Sequence, residues 1–226
     1  MRKLITALSL VVFSTSVYAL GLSDLTNKDA TGGLKDALIQ ASSAAVNKLG
    51  VTDGFLKNPK VKIPLPDTMK KAEKAMRMLG MGKQADELVT RMNHAAEAAV
   101  PEAKTLLVGA VKQMTVEDAK NILTGGDDAA TQYFKKTTSQ PLAEKFLPIV
   151  QKATENVQLA QQYNKFAETG ARFGLVKKDQ ANLEQYVTQK ALDGLYLMMA
   201  EEEKAIRKDP LGASTSLIKK VFGALQ

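Results

Sequence analysis

The residue types best suited to chemistry in this sequence are a single histidine and a few acidic clusters. His94 is the only histidine, and Glu97 follows it three residues later. Residues three apart share one face of a helix, so the two side chains could ligate one metal ion. A metal site of useful affinity needs three or four ligands, however, and the di-iron motif has glutamate before histidine. We therefore interpret His94 as a partly exposed helix residue and predict no metal site.

A run of three glutamates, Glu201–Glu203, and the preceding Asp193 are the next candidates, as paired carboxylates for acid–base catalysis. Such catalysis needs two carboxylates that face each other and have separated pKa values, whereas consecutive residues of a helix point in different directions. Lys204, Arg207 and Lys208 follow closely and would pair with the glutamates. The run therefore predicts a solvated helix face. With no Gly-x-Ser-x-Gly elbow and one histidine, the sequence does not indicate an ordinary hydrolase.

A third candidate is the glycine pair at 125–126, which lies before a predicted helix. Free backbone amides at the start of a helix can bind phosphate. Here Asp127 and Asp128 follow the glycines, and acidic residues in the first turn would satisfy those amides and repel an anion. We expect a plain turn between two helices, with Asp127 as the cap. No motif of the sequence points to a cofactor.

The elements that would position such residues begin after a predicted export signal, residues 1–19. Arg2 and Lys3 precede an apolar run at 4–13, and a small or polar segment ends at Ala19. The run is shorter than the roughly 18 apolar residues that cross a membrane. We expect cleavage after Ala19 and a periplasmic location, with no cysteine to carry a lipid anchor. The remainder, residues 20–226, is expected to form one domain.

The net charge indicates which kind of partner the chain would bind. The chain has a formal charge of +7, and removal of Arg2 and Lys3 leaves +5 (7 minus 2). For an exported protein, a basic surface favours anionic envelope surfaces such as phospholipid head groups or lipopolysaccharide over nucleic acid. Positive and negative residues are interspersed along nearly every segment, so an ordinary solvated surface is the alternative.

The spacing of apolar residues predicts an all-α fold, a single-domain bundle of several helices. Strand patterns are almost absent, and the apolar period is close to 3.6 residues. A capping box is expected at Thr115–Asp118, and residues 191–200 are apolar on most sides, which indicates a central helix. The predicted helices cover residues 29–49, 67–79, 83–100, 102–114, 116–124, 127–136, 141–168 with a bend at Pro148, 179–208 and 214–225.

A proline-rich segment, residues 53–66, separates the first two predicted helices. Its three prolines preclude a regular helix and favour extended geometry for the residues before them. A flexible linker would be rich in Gly and Ser, whereas this segment carries apolar side chains that need to be covered. We call it the arm. Its candidate contact residues are Phe55, Leu56, Val61, Ile63 and Leu65.

The predicted last helix, residues 214–225, is amphipathic, and two arrangements are open for it. Its apolar stripe could dock on the bundle, or it could lie on a membrane or partner with two lysines toward anionic head groups. Its candidate contact residues are Leu217, Ile218, Val221 and Phe222.

Four segments together resemble a known family. They are GLKDAL at 33–38, NPKVKIPLP at 58–66, MTVEDAK with ILTGG and AAT within 114–131, and ALDGL with EEE within 191–203. With them the whole mature chain resembles the bacterial family of exported proteins catalogued as domain of unknown function 4197. The resemblance implies a helical, exported, single-domain protein. The family has no assigned activity, so no catalytic residue is carried over.

Two function classes therefore stay open. The first is a non-enzymatic envelope protein that binds a protein or surface partner through the arm or the last helix. The second is a carrier of an apolar small molecule or lipid, because thioethers line adaptable pockets; methionine as core filler is the alternative. The methionines concerned are Met76, Met78, Met81, Met92, Met198 and Met199. An enzyme is the third class.

Overall fold

The computed structural model describes residues 27–80, 82–172, 177, 180–209, 219 and 221–222. Within these residues the chain forms eight α-helices and a 3₁₀ turn at Val100–Glu102, without strands. The predicted all-α bundle is confirmed. The predicted export signal lies outside the described residues. The helices are α1 (Asn27–Leu49), α2 (Asp67–Met78), α3 (Gly82–Ala99), α4 (Ala103–Gln113), α5 (Val116–Leu123), α6 (Ala129–Thr154), α7 (Gln158–Arg172) and α8 (Leu183–Lys208).

Helix α8 is the centre of the bundle. It packs against α1, α3 and α6, and α6 packs in turn against α3 and α4. Apolar residues on most sides of α8 are buried, including Leu192, Leu195 and Met199, although Leu197 is 43% exposed. The central position predicted from residues 191–200 is therefore confirmed.

Helix α6 differs most from the prediction. Two helices were expected at 127–136 and 141–168, but one helix runs through Pro141 and Pro148 and ends at Thr154. A proline inside a helix removes one hydrogen bond. Along α6 a buried residue recurs every four positions from Ala130 to Thr154, and this continuous contact with α3 and α8 keeps the helix intact. The chain breaks instead at 155–157, before α7.

The arm packs directly on the central helix. Four of its apolar side chains, Phe55, Val61, Ile63 and Leu65, are buried. Gly194 on α8 allows this close approach, because a Cβ atom at that position would lie 2.7 Å from Phe55 Cε1 and 3.2 Å from Val61 Cβ. Residues 52–57 and 59–61 form turns and residues 62–66 have no regular secondary structure, so the last five residues of the arm are free of turns.

A capping box begins α5, as predicted. Thr115 Oγ1 accepts a hydrogen bond from the Asp118 N–H (3.1 Å), and Asp118 Oδ2 accepts one from the Thr115 N–H (3.0 Å). The Thr115 hydroxyl also donates to Asp118 Oδ2 at 2.7 Å. These hydrogen bonds from the Thr115 side chain and backbone hold the pKa of Asp118 below its ordinary value of 3.8.

Substitution of Gly194 tests the contact between the arm and α8. Gly194→Ala should lower the free energy of unfolding by about 1–3 kcal/mol, because the new methyl group overpacks the site against Phe55. The matched control is Gly109→Ala on α4, where a Cβ atom would meet nothing within 4 Å. That variant should be neutral or more stable, since alanine is the better helix former. Urea unfolding measures both, and equal stabilisation of the two variants would contradict the close approach.

Acid titration tests the capping box. Because the folded-state pKa of Asp118 is lowered, its stabilising contribution is complete above the unfolded value of 3.8 and is lost as pH falls through the folded pKa. Asp118→Asn should therefore be less stable than the wild type at neutral pH, and the difference should shrink in acid. Urea unfolding across this pH range measures it. A difference that stays constant into strong acid would show that the carboxylate charge is not involved.

Candidate functional site

The buried carboxylate of Glu97 on α3 binds the turn at the start of the arm. Its Oε1 accepts hydrogen bonds from the backbone N–H groups of Phe55 (2.9 Å) and Leu56 (3.0 Å), and its Oε2 accepts one from Asp53 (3.1 Å). Asp53 has a positive φ of 66°, which helps to direct successive N–H groups toward one point. Glu97 thus serves as the hydrogen-bond acceptor for a turn that has no strand beside it.

Asn93, one helical turn before Glu97, binds the second half of the arm. Its Oδ1 accepts from the Ile63 N–H (2.8 Å), and its Nδ2 donates to the Ile63 carbonyl (2.9 Å). From the other side, the Tyr186 hydroxyl of α8 donates to the Pro64 carbonyl (3.1 Å). Side chains of α3 and α8 therefore supply the partners that a neighbouring strand would supply in a sheet.

His94 lies beside the same turn. Its Nε2 is 3.7 Å from Asp53 Oδ1 and 3.8 Å from Glu97 Oε2, and it has no hydrogen-bond partner among the described residues. The Glu97 oxygens already accept backbone N–H groups, and the hydrogen bond and charge of Lys57 lower the pKa of Asp53 below 3.8. His94 is partly exposed on a helix, as expected. The described residues contain no cluster of three or more His, Asp or Glu suited to a metal ion.

Glu203 has a role that the sequence did not reveal. It was predicted to lie on a solvated face, but it is only 4% exposed. Its carboxylate accepts hydrogen bonds from the N–H groups of Ala130 and Thr131, both at 2.9 Å, and from the Thr131 hydroxyl at 2.9 Å. These are free amides in the first turn of α6. Glu203 on α8 therefore caps α6 from a different helix.

The prediction that Asp127 caps α6 is wrong, because Glu203 caps this helix. Helix α6 begins at Ala129, and Asp128, which precedes it, makes no side-chain cap hydrogen bond. The Asp128 carboxylate accepts from the Gln132 side chain instead, and Asp127 is 3.6 Å from the Lys204 ammonium. Because Glu203 already occupies the amides, neither aspartate is needed there.

Arg207 completes this cluster. Its Nη2 lies 2.8 Å from Glu203 Oε1 and donates to the Ile122 carbonyl at 2.9 Å. Its guanidinium lies 5.6 Å from the ring centroid of Phe222. The cluster thus connects α8 to α5, α6 and the C-terminal segment. A buried carboxylate with these partners is not available for proton transfer to a substrate.

Most of the predicted contact residues are buried in the core. Phe55, Val61, Ile63 and Leu65 are covered by the chain itself and offer no surface to a partner, while Leu56 is half-buried. In the last predicted helix, Val221 and Phe222 are buried, and Phe222 lines a cavity of about 10 Å³ with Leu34 and Ile206. These two residues therefore follow the docked arrangement. Leu217 and Ile218 lie outside the described residues.

An open cleft of about 350 Å³ remains between the arm and α8. Lysines 60, 62 and 190 line it, but so do Asp67 and Asp193. Lys60 also pairs with Glu201 at 2.7 Å, and Lys190 lies 3.6 Å from Asp193. Since the cationic groups are largely matched by carboxylates, this cleft does not select a ligand by charge.

The most exposed apolar residues lie at the turn between α2 and α3. Met78 is 79% exposed and the adjacent Leu79 is 76% exposed. Gly80 follows with a φ of 78° and reverses the chain. We call residues 78–80 the tip. The sequence signal for the tip is a pair of large apolar residues directly before Gly-Met-Gly. A turn at this point leaves no neighbouring element to cover their side chains.

Arg77 makes two ion pairs that hold the tip against the rest of the hairpin. Arg77 Nη2 lies 2.6 Å from Asp86 Oδ1 on α3 and 2.8 Å from Glu73 Oε1 on α2. The hydrogen bonds from Arg77 hold the pKa of Asp86 below its ordinary value of 3.8. Both carboxylates near the tip are therefore paired with Arg77, whereas Lys74 and Lys83 are exposed there.

A second groove, of about 550 Å³, lies behind the tip between the α2–α3 hairpin and the start of α7. Met76, Val157 and Leu159 are its apolar lining, and all three are half-buried. Three other methionines considered for a lipid pocket, Met92, Met198 and Met199, are core residues. Met81 lies outside the described residues.

One protein-family model matches nearly the whole chain. A family model described as a protein of unknown function, DUF4197, matches residues 24–223. The chain belongs to this family. The DUF4197 match includes every helix described above, which confirms the resemblance found in the sequence. No curated protein and no solved structure matches the chain.

The DUF4197 description names no activity. The described helices include none that is long and apolar enough to cross a membrane. The features left open to partners are the neutral cleft, the tip and the groove behind it. Of these, the tip combines the greatest apolar exposure with unmatched positive charge.

The glutamate run provides a direct test of the α6 cap. Glu203→Ala should lower the free energy of unfolding by about 3–5 kcal/mol, because it leaves buried amides and the Arg207 charge without their partner. Glu201→Ala and Glu202→Ala are matched controls, since these residues pair at the surface with Lys60 and Lys48. Each should cost no more than about 1 kcal/mol. Chemical denaturation measures all three, and equal losses would argue against a cap by Glu203.

Proposed function

We propose that this protein is a non-enzymatic protein of the bacterial envelope that docks on an anionic lipid surface through its tip. The single observation that carries the proposal is the exposure of Met78 and Leu79, side by side at the end of a helical hairpin. The predicted export signal supports a periplasmic location, where membrane leaflets are the largest anionic surfaces. The amphipathic hairpin would lie at the surface without crossing it.

The charge around the tip favours an anionic surface. Residues 67–86 carry five basic residues and three acidic ones, a local charge of +2 (5 minus 3). Each lysine or arginine close to an anionic membrane contributes about 1 kcal/mol of attraction. Because Arg77 is already engaged with Glu73 and Asp86, and Lys70 pairs with Asp67, the attraction depends mainly on Lys74 and Lys83.

The apolar part of the tip supplies the rest of the affinity. Full burial of a methionine or leucine side chain stabilises by about 1.5–3 kcal/mol each. Two such side chains together with a few lysines give reversible surface binding rather than permanent insertion. The Arg77 ion pairs support this role, because they keep the two apolar side chains at the end of a braced hairpin.

The state of the buried carboxylates supports a non-enzymatic role. Glu97 and Glu203 accept backbone N–H groups, as described above. Glu184 accepts hydrogen bonds from the Thr154 hydroxyl (3.1 Å) and the Asn164 amide (2.8 Å). Acid–base catalysis needs a carboxylate that can exchange a proton with a substrate, and each of these three is covered and occupied by structural partners.

Sedimentation with lipid vesicles tests the proposal. The chain without residues 1–19 should bind vesicles that contain phosphatidylglycerol, bind less at high salt, and bind poorly to vesicles of phosphatidylcholine alone. Replacement of both Met78 and Leu79 by serine should weaken the binding at least about tenfold, from the loss of apolar burial.

Val116→Ser is the matched control, because Val116 is another exposed apolar residue (56%) but lies on α5. This variant should bind vesicles like the wild type. The proposal is refuted if the wild type does not bind anionic vesicles, or if the double serine variant binds them as well as the wild type does.

A further inference from the structure

The groove behind the tip has an apolar floor and a polar rim. The floor consists of Met76, Val157 and Leu159, which are half-buried. The rim side chains are exposed and, apart from one carboxylate, are uncharged amides: Gln84, Asn156, Gln158 and Gln162. A groove with this division suits an amphiphile, whose apolar part lies on the floor while its polar part meets hydrogen-bonding side chains at the rim.

The groove results from the way α2 is attached to the bundle. Near its first residue, α2 is joined to α7 by the hydrogen bond between the Thr68 and Tyr163 hydroxyls (3.0 Å). Met76 lies eight residues farther along, about 12 Å along the helix axis. At that end a space of about 550 Å³ separates the hairpin from the start of α7. The volume is within the usual range of small-molecule sites, about 300–1,000 Å³.

The groove also lies close to the tip. Met76 precedes Met78 by two residues on α2, and Gln84 follows Gly82 by two residues on α3. Both are therefore within about one helical turn of the exposed apolar residues. A ligand that leaves a surface touched by the tip would therefore have only a short path to the apolar floor. Met76 adds adaptability, because its unbranched thioether fits chains of different shape.

Glu87 sets the charge of the ligand. It is the single charged side chain among the residues that line the groove. Among the described residues it pairs with Arg91, whose Nη2 lies 3.9 Å from Glu87 Oε1. Because both side chains are largely exposed, water screens this pair, and the carboxylate can exchange Arg91 for the ammonium of a ligand. A carboxylate at the rim repels an anionic head group and attracts an ammonium. The carboxylate thus distinguishes the groove from the tip, whose lysines favour anionic surfaces.

From this arrangement we infer that the groove binds one acyl chain of a phospholipid whose head group carries an ammonium, of the phosphoethanolamine type. The acyl chain lies on Met76, Val157 and Leu159, and the ammonium pairs with Glu87. The amide side chains of the rim donate to the phosphate and ester oxygens. The inference rests on the proposed function, because the lipid surface supplies the ligand, and it names the ligand that the docked protein takes up.

Titration with a soluble lipid tests this inference without a membrane. Lysophosphatidylethanolamine below its micelle concentration is added to the chain without residues 1–19, and calorimetry measures the affinity. Saturable binding is expected, tighter than for lysophosphatidylglycerol of the same chain length. Leu159→Gln should weaken it about tenfold or more, from the lost apolar contact. Leu197→Gln is the control, since Leu197 is an exposed apolar residue that lines the cleft beside the arm instead, and it should change nothing.

Two further variants keep the test decisive. If thermal unfolding shows that Leu159→Gln does not fold, Met76→Gln addresses the same floor from the exposed hairpin. Glu87→Gln should retain binding but lose the preference for the ethanolamine head group. The inference is overturned if the wild type shows no saturable binding, if the floor variants bind as the wild type does, or if Glu87→Gln keeps the full preference.

The lysolipid titration and the vesicle experiment can give a positive or a negative result independently of each other. The double serine variant of Met78 and Leu79 should lose vesicle binding yet bind the soluble lysolipid normally, because the ligand reaches the groove from solution. If the wild type binds vesicles but takes up no lysolipid, the groove inference fails and the docking proposal stands. If it binds lysolipid but no vesicles, the docking proposal fails, and so does the surface as the source of the lipid.

Discussion

Buried backbone groups need hydrogen-bond partners, and in this protein the arm brings such groups into a bundle that has no strand to receive them. Glu97 and Asn93 on α3 supply the acceptors and the donor, and Tyr186 on α8 reaches the arm from the opposite side. The arrangement connects α3 to α8 through the arm. It also requires Gly194 on α8, because a larger residue would overlap the Phe55 ring. The arm is thus held by both central helices.

The same use of polar side chains recurs at two other junctions. Glu203 caps α6 from α8, and Glu184 joins α8 to the end of α6 through Thr154 and to the middle of α7 through Asn164. At the N-terminus of α6, the Glu203 carboxylate also lies in the favourable field of the helix dipole. The acidic residues that would be the first candidates for catalysis therefore connect helices. The groups available to a partner are therefore those on the surface.

At the surface, the α2–α3 hairpin and the start of α7 differ from the rest of the bundle. Helix α2 is attached near its first turn, and its other end carries exposed apolar residues beside a groove with an apolar floor. Elsewhere the large apolar side chains of the described helices are mostly buried. A hairpin that leaves apolar area uncovered lowers its own stability, and such regions are commonly binding regions. The docking proposal and the lipid inference both follow from this difference.

The sequence by itself determined the all-α fold, most helix positions, the capping box at Thr115 and the family, because each of these depends on residues close together in the chain. It also identified the arm as a segment needing cover. Only the tertiary structure decided what covers it, since Glu97, Asn93 and Gly194 are distant in sequence. Likewise Glu203 carries no local sign of capping a helix some 70 residues earlier, and the prolines of α6 are tolerated only because α3 and α8 pack along its whole length. Residues close together in the chain determine the apolar spacing and the ends of the helices. Which side chains are buried depends on contacts that form only when the helices pack together.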